Sequence, residues 1–422
     1  MADSPEPTPT SPLAPKPAHI PNALVYDFDM YREPAYLADP HARILELHRH
    51  APPIFWTPRS GGFWVMLSHE ANYKASRDTE SFTSEVIPAA VREQIQAALP
   101  PGTPRLPHSV PISLDPPEHG KYRAPLQAAF SPKRMMALQD GIRALAAELI
   151  DAIKPLGRSN IVADVAEPLP VQVFLQLFGL PVERQKEYRA LVKEHFSSMQ
   201  INDAMQRMRR ILQVTAIMRD TLLERKANPR DDLISLLWQT RIDDAEMTLD
   251  TMEDYCVVLF LAGLDTVMNG IGLAVCHLAQ NAELQRKLRA EPKLIPEAVE
   301  EMLRRYTFTV PPRRVARDVV FEGVEMKAGE TVLLYLPGAD LDGKEFEQPE
   351  RYDPKRDNNV HIAFGVGPHR CLGSHLARIE LNILYEELLA RLPEFRLDPE
   401  KPPTFHGGHV VGPEHLWIEW DV

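Results

Sequence analysis

One cysteine of the three stands apart from the others. Cys371 lies in Phe364-Gly365-Val366-Gly367-Pro368-His369-Arg370-Cys371-Leu372-Gly373, a Gly- and Pro-rich loop. The loop leads into a helix marked by Leu372, Leu376, Ile379 and Ile383 at helical spacing. A thiol at a helix N-terminus meets backbone amides and the positive end of the dipole, which lower its pKa and favour thiolate. Gly365, Gly367 and Gly373 let backbone approach a flat or bulky group closely. A single thiolate so placed suits either a nucleophile or an axial metal ligand. A nucleophile needs a base, for which His369 and His375 are candidates. Cys256 and Cys276 lie in the apolar stretch 255–279 and read as small buried hydrophobes.

The elements that must position this loop read as mostly helix. Segments 133–155 and 203–228 carry apolar residues at helical spacing, the first ending at a Pro. Strand signals are confined to Gly62-Phe63-Trp64-Val65-Met66-Leu67 and Glu330-Thr331-Val332-Leu333-Leu334-Tyr335. Gly323 and Gly329 fit turns between short strands at 315–335. The expected class is mainly α with small, separate sheets. Segment 255–279 is long and apolar enough for a membrane span. Asp265, Thr266 and Asn269 in its centre favour a buried core helix instead.

Composition narrows the class further. With 47 basic and 59 acidic side chains the net charge is −12, and a pI near 5.7 argues against a general nucleic-acid binder. Apolar residues at 44% supply ample core, which rules out wholesale disorder. Three Cys without a CxxC exclude a disulfide scaffold and suit a reducing cytosol. Residues 1–22 are Pro-rich with no basic start and no apolar core, so a disordered, polyproline-prone tail is expected rather than a signal peptide. Residues 23–422 show no linker and are expected to form one domain. The patch Leu99-Pro100-Pro101-Gly102-Thr103-Pro104 is a candidate mobile loop.

The segment 364–373 resembles the haem-binding loop of the cytochrome P-450 family of haem-thiolate monooxygenases, and its Phe-x-x-Gly-x-His-x-Cys-x-Gly spacing weighs against the nucleophile. Four further stretches resemble the family in the family's order. Asp115-Pro116-Pro117-Glu118-His119-Gly120-Lys121-Tyr122-Arg123 is similar to the segment that reaches the haem edge. Ala262-Gly263-Leu264-Asp265-Thr266 is similar to the oxygen-binding part of the long central helix. Glu301-Met302-Leu303-Arg304 and Pro349-Glu350-Arg351-Tyr352 resemble the Glu-x-x-Arg pair and the later segment whose Arg joins it. The resemblance covers residues 23–422 and implies that family's fold, with its long helix crossing the haem.

It also implies roles. Cys371 would be the proximal ligand of haem b. His119, Arg123, Arg314 and His369 would hold the propionates, Arg314 being preferred to Arg313 on the spacing to Gly323. Phe364, Gly365, Leu372, Gly373, Ala262 and Gly263 would pack against the haem, Gly263 making room for oxygen. Asp265 and Thr266 form an acid–alcohol pair able to relay protons. Asp265 also reads as a buried ion-pair partner of Arg189 or Lys193, and a switchable pair could gate protons. Glu301, Arg304 and Arg351 would form a buried structural network.

The chain looks closest to the camphor-hydroxylase-like bacterial subgroup. Tyr26-Asp27-Phe28-Asp29-Met30-Tyr31, Ala166-Glu167-Pro168-Leu169-Pro170 and Gly263-Leu264-Asp265-Thr266-Val267 carry that likeness. It departs at 86–112, which is longer and richer in Pro, and Pro107, beside His108, falls where the camphor-binding Tyr would be. Ile112, Val258, Leu261, Val310, His409 and Val410 are the pocket candidates. Being mostly apolar, they suggest a compact lipophilic substrate, terpenoid or ionone-like, with a small aromatic as second choice. Electrons are expected from a [2Fe–2S] ferredoxin and its NAD(P)H-dependent reductase, since no flavin or nicotinamide domain is visible. Lys121, Arg123 and Arg370 could contact an acidic ferredoxin. A cytoplasmic monomer, free of nucleic acid and membrane, is expected. The competing readings are a peroxygenase or isomerase of the same fold, a haem- or lipid-binding protein, and a cysteine hydrolase. Each leaves Asp265-Thr266 or the 364–373 loop without a purpose.

Overall fold

The computed structural model describes residues 11–200 and 204–422. Its front and late strand signals meet in one sheet. Ile54–Thr57 and Phe63–Met66 form a hairpin, and Thr331–Leu334 joins Phe63–Met66 in parallel. Pro312–Val315 and Phe82–Thr83 extend the sheet. Val332 stands opposite both Trp64 and Arg313. Every residue of the hairpin strands is buried, so their apolar residues run continuously instead of alternating. A three-stranded sheet of Phe395–Leu397, Trp417–Trp420 and Arg158–Asn160 stands apart from it.

The rest is mainly helical. Ala204–Ala227 matches the second periodic segment. The first divides into Pro132–Met136 and Gln139–Ile153, the longer piece burying Ile142, Ala146, Ile150 and Ile153 along one stripe. Ser374–Arg391, the helix after Cys371, packs on Gln139–Ile153 and on Ile295–Arg305. The long apolar segment is a pair of helices, Leu249–Gly263 and Thr266–Ala279, broken at Leu264-Asp265. Leu249–Ala279 is long and apolar enough to cross a membrane, yet 61% of its most apolar stretch is buried in protein. It is a core helix.

The Pro-rich start needs correcting. Residues 1–10 lie outside the described residues, but 11–22 are not a loose tail. The Ser11 amide donates to Asp29 Oδ2 at 2.7 Å and Ala14 N to Pro58 O at 2.7 Å. Arg59 grips Asp27 with two bonds and donates to Ser11 O at 2.7 Å. Ile20 is buried in the cluster of Trp56, Trp64 and Met326. Composition predicts disorder for a segment on its own. Here a neighbouring hairpin supplies the hydrogen bonds and apolar surface that the segment lacks.

Candidate active site

The cysteine loop is held by its own backbone. Cys371 N donates to Phe364 O at 2.7 Å, Gly365 N to Ile362 O at 2.7 Å and Arg370 N to Gly367 O at 3.1 Å. Gly367 has φ 77°, and a Cβ there would stand 2.8 Å from Ser76 O. Only glycine satisfies both conditions. Arg123 Nη2 donates to Arg370 O. The Arg378 guanidinium covers the Phe364 ring at 4.5 Å and is itself gripped by Glu300. Burial alone would raise the Glu300 pKa, but His361 and Arg378 hold it down to about 2.

Cys371 is exposed, whereas Ser374, three residues on, is buried. Its thiol pKa is raised, contrary to the expectation from the helix end. Desolvation outweighs the Gly373 amide and the Arg123, Arg370 and Arg378 charges that lower it. A thiol beside a bound cation would instead be ionised.

A cluster of basic groups stands at the edge of this loop. The rings of His119 and His369 lie 4.3 Å apart. His369 Nε2 meets Ser84 Oγ at 2.9 Å and Asp115 Oδ1 at 3.8 Å. Burial, His369 and Arg123 lower the His119 pKa to about 4, and its buried Nε2 has no hydrogen-bond partner. Arg313 is buried and desolvated, with its pKa lowered to about 10 and Asp115 as its opposing charge. It also acts on His369. Arg314, the expected member, instead donates from Nε to Glu85 O at 3.2 Å. Alternation along Pro312–Val315 buries Arg313 with Val315 and leaves Arg314 half-buried. An unpartnered imidazole nitrogen and a desolvated guanidinium call for an anion. The two propionates of a haem would answer that need and Cys371 would supply its thiolate, so these residues fit a haem.

The break in the long helix holds the acid–alcohol pair. Thr266 Oγ1 donates to Ala262 O at 3.0 Å, and Asn269 Nδ2 reaches back to Asp265 O. Asp265 Oδ1 pairs with Arg189 Nη1 at 3.2 Å. Lys193, the other candidate mate, pairs with Glu414 at 3.4 Å. Arg189 also reaches Glu167 at 3.2 Å and Met268 Sδ at 3.0 Å, and it donates to Leu264 O. Gly263 serves packing: a Cβ there would lie 2.3 Å from the Phe174 ring. Its missing side chain admits Phe174.

The buried network differs in one member. Glu301 and Arg304, both 0% exposed, make a two-bonded pair at 2.8 Å and 2.8 Å. Arg304 also donates to the carbonyls of Asp340, Pro349 and Arg351. The side chain of Arg351 is 65% exposed and faces Asp353 at 3.8 Å. The second cation beside Glu301 is Arg356, at 3.6 Å. Arg351 therefore contributes its carbonyl, and Arg356 the charge.

Of the pocket candidates, Val258 and Leu261 lie partly open on one face of the long helix, and Ile112 is 51% exposed. Val310 is enclosed in the core cluster of Phe28, Tyr335 and Val411, while His409 Nδ1 is bonded to Val310 O at 2.9 Å. Val410 is buried and bridges to Thr309. These positions are held in packing, so the expectation that they line a pocket finds no open surface at Val310. Arg356 was not among the sequence candidates, and Arg313 was ranked behind Arg314. Strand alternation was the available signal for Arg313; Arg356 reaches Glu301 only through tertiary packing and had no local signal.

The mainly helical fold combines a glycine-lined cysteine loop with a broken core helix, and comparison with known proteins gives the class to which this arrangement belongs. The family profile described as Cytochrome P-450 matches residues 180–416. "Probable cytochrome P-450 127A1" of Sinorhizobium fredii (strain NBRC 101917 / NGR234) is 35% identical over 415 residues, 96% of this chain and 97% of that protein. "Mycinamicin IV hydroxylase/epoxidase" of Micromonospora griseorubida is 35% identical over 315 residues, 73% of this chain and 79% of that protein. The crystal structure of CYP101J2 superposes with TM-score 0.85 at 32% identity, covering 97% of this chain and 100% of that one. The chain belongs to the cytochrome P-450 family. It is a monooxygenase of that family, whose cofactor is haem b bound through a cysteine thiolate.

Proposed function

We propose that this chain inserts one oxygen atom of O2 into a compact lipophilic substrate of terpenoid or ionone-like type. The observation that carries the reading is Asp265-Thr266, set at the helix break with Arg189 on the acid and Ala262 exposed one turn before. A peroxygenase or isomerase has no use for such a pair.

Haem b, when bound, supplies the oxygen-activating iron, and a thiolate ligand pushes electron density onto it. Cys371 is that ligand. His119, Arg123, Arg313 and His369 would hold the propionates, the orphaned His119 Nε2 gaining the partner it lacks and the desolvated Arg313 a counter-charge beyond Asp115. The Thr266 hydroxyl gives its proton to Ala262 O and keeps lone pairs for a second hydrogen bond. Asp265 takes up and passes on protons when its pair with Arg189 opens. Val258 and Leu261 exclude water around the substrate.

Electrons come from a [2Fe–2S] ferredoxin and its NAD(P)H-dependent reductase, received on the side where Lys121 and Arg370 are exposed. The chain works as a cytosolic monomer, in keeping with its three unpaired thiols. The test is a visible spectrum of the haem-loaded protein, titrated with monoterpenoids, ionones and small aromatics. A Soret shift from low-spin to high-spin with the first two supports the substrate class. A spectrum that none of them moves overturns it.

A further inference from the structure

The peptide that joins Asp265 to Thr266 is held from outside the long helix. Its carbonyl, Asp265 O, accepts a hydrogen bond from Asn269 Nδ2, one turn on. A peptide carbonyl can only accept, so the amide nitrogen of Asn269 faces it and the amide oxygen is left for another partner. That oxygen, Asn269 Oδ1, meets His406 Nε2 at 3.0 Å. Two acceptors cannot bond each other, so His406 Nε2 carries the hydrogen and donates it. The roles of both side chains thus follow from the chemistry of one carbonyl.

The hairpin that carries His406 is seated closely on the helix. His406 ends the strand Thr404–His406 and stands opposite Gly412, the first residue of Gly412–His415. A Cβ on Gly412 would lie 1.9 Å from Asn269 Oδ1. On the helix, a Cβ on Gly272 would lie 2.5 Å from the Pro413 ring. Each surface lacks a side chain where the other approaches. The turn of the hairpin is tied down as well, Val411 N donating to Phe308 O and Val310 N to His409 O, both at 2.8 Å. Asn269 is 1% exposed, so water offers little in place of His406, and a buried amide oxygen without a donor is costly.

We infer that His406 is a positioning residue for proton delivery: through the Asn269 amide it locks the peptide between the acid and the alcohol, and so fixes where both side chains stand at the helix break. The inference rests on the proton-relay reading of Asp265-Thr266 above. Arg189 restrains the Asp265 carboxylate, whereas His406 and Asn269 restrain its backbone. The two restraints are separate, and either can be removed alone.

The test is hydrogen exchange of the haem-loaded protein, read by mass spectrometry on peptides that span the helix break. His406→Leu should quicken exchange there about fivefold, the population shift that one hydrogen bond is worth. His406→Gln, whose amide can still donate to Asn269 Oδ1, should stay near the parent. His415→Leu, at the open end of the same hairpin and bonded to Asn160 at 3.3 Å, should also match the parent. Unchanged exchange in His406→Leu, or equally quickened exchange in His406→Gln, overturns the assignment. The second readout is the share of NADH electrons recovered as peroxide, with β-ionone as substrate and a [2Fe–2S] ferredoxin and its reductase as donors. That share should rise in His406→Leu and fall back in His406→Gln, at an unchanged Kd for β-ionone. Quickened exchange with an unaltered peroxide share overturns the positioning role. If the parent forms no product from β-ionone, the substrate reading falls, and the exchange comparison alone decides His406.

Discussion

Arg189 closes a 3.2 Å ion pair on Asp265 across the break in the long helix, with Glu167 on its other flank at 3.2 Å. One guanidinium thus couples the helix break to the segment that begins Pro168–Phe178. The pair is partly buried, so it is screened less than a surface pair and opens only at a cost.

Thr266→Ala should keep reductant consumption but divert it to peroxide, because the hydroxyl that shares the proton path is gone. Asp265→Asn should lower product formation by roughly 10²-fold, the usual worth of a positioned acid or base. Simultaneous measurement of NADH consumed, peroxide released and product formed checks both. Unchanged coupling in Thr266→Ala would count against the relay.

Haem retention separates the two neighbouring arginines. Arg313→Leu removes the buried cation beside His369 and Asp115, whereas Arg314→Leu removes a bond to Glu85 O. Arg313→Leu should lose haem faster to an acceptor protein than the parent does, and Arg314→Leu should match the parent. The reverse order would restore Arg314 to the site.

Stability separates Arg351 from Arg356. Glu301→Ala leaves Arg304 buried without its partner and should cost about 3–5 kcal/mol in urea unfolding. Arg356→Ala should cost clearly more than Arg351→Ala, whose side chain is exposed and should fall within about 0.5 kcal/mol of the parent.

Two buried histidines make the fold acid-sensitive. Burial, with Arg305, lowers His41 and His277 from the ordinary 6.5 to about 4. The unfolded chain binds these protons first as pH falls, so the contribution of the two rings to stability is flat above about 6.5, drops between about 6.5 and 4, and levels below that. Urea midpoints at about pH 7.5 and about pH 5 should show the loss. His277→Phe should shrink that difference, and an unaltered slope would exclude His277 as a source.

The parts of the site legible in sequence are those where neighbours in sequence are neighbours in space. The Cys371 loop, Asp265-Thr266 and Glu301 with Arg304 lie within one loop or one helical turn. Arg313 could not be told from Arg314 because the choice depends on which face of the strand meets solvent, and pairing with Thr331–Leu334 sets that. Lys193 lies one turn beyond Arg189 but is drawn to Glu414, 221 residues away. The direction of the Cys371 thiol pKa, with no cation beside it, departs from the helix-end expectation for a related reason. The helix end is local, while the desolvation that outweighs it comes from the whole fold.

The binding of Ser11 by Asp29 and Arg59 has a practical consequence for anyone who shortens this protein. A cut made after residue 22, where composition alone would place it, strips Ile20 from Trp56 and Trp64 and leaves an apolar patch open beside the hairpin. Such a product would be prone to self-association. A cut at residue 10 spares every contact described for the opening strap, and is the trimming point that the packing recommends.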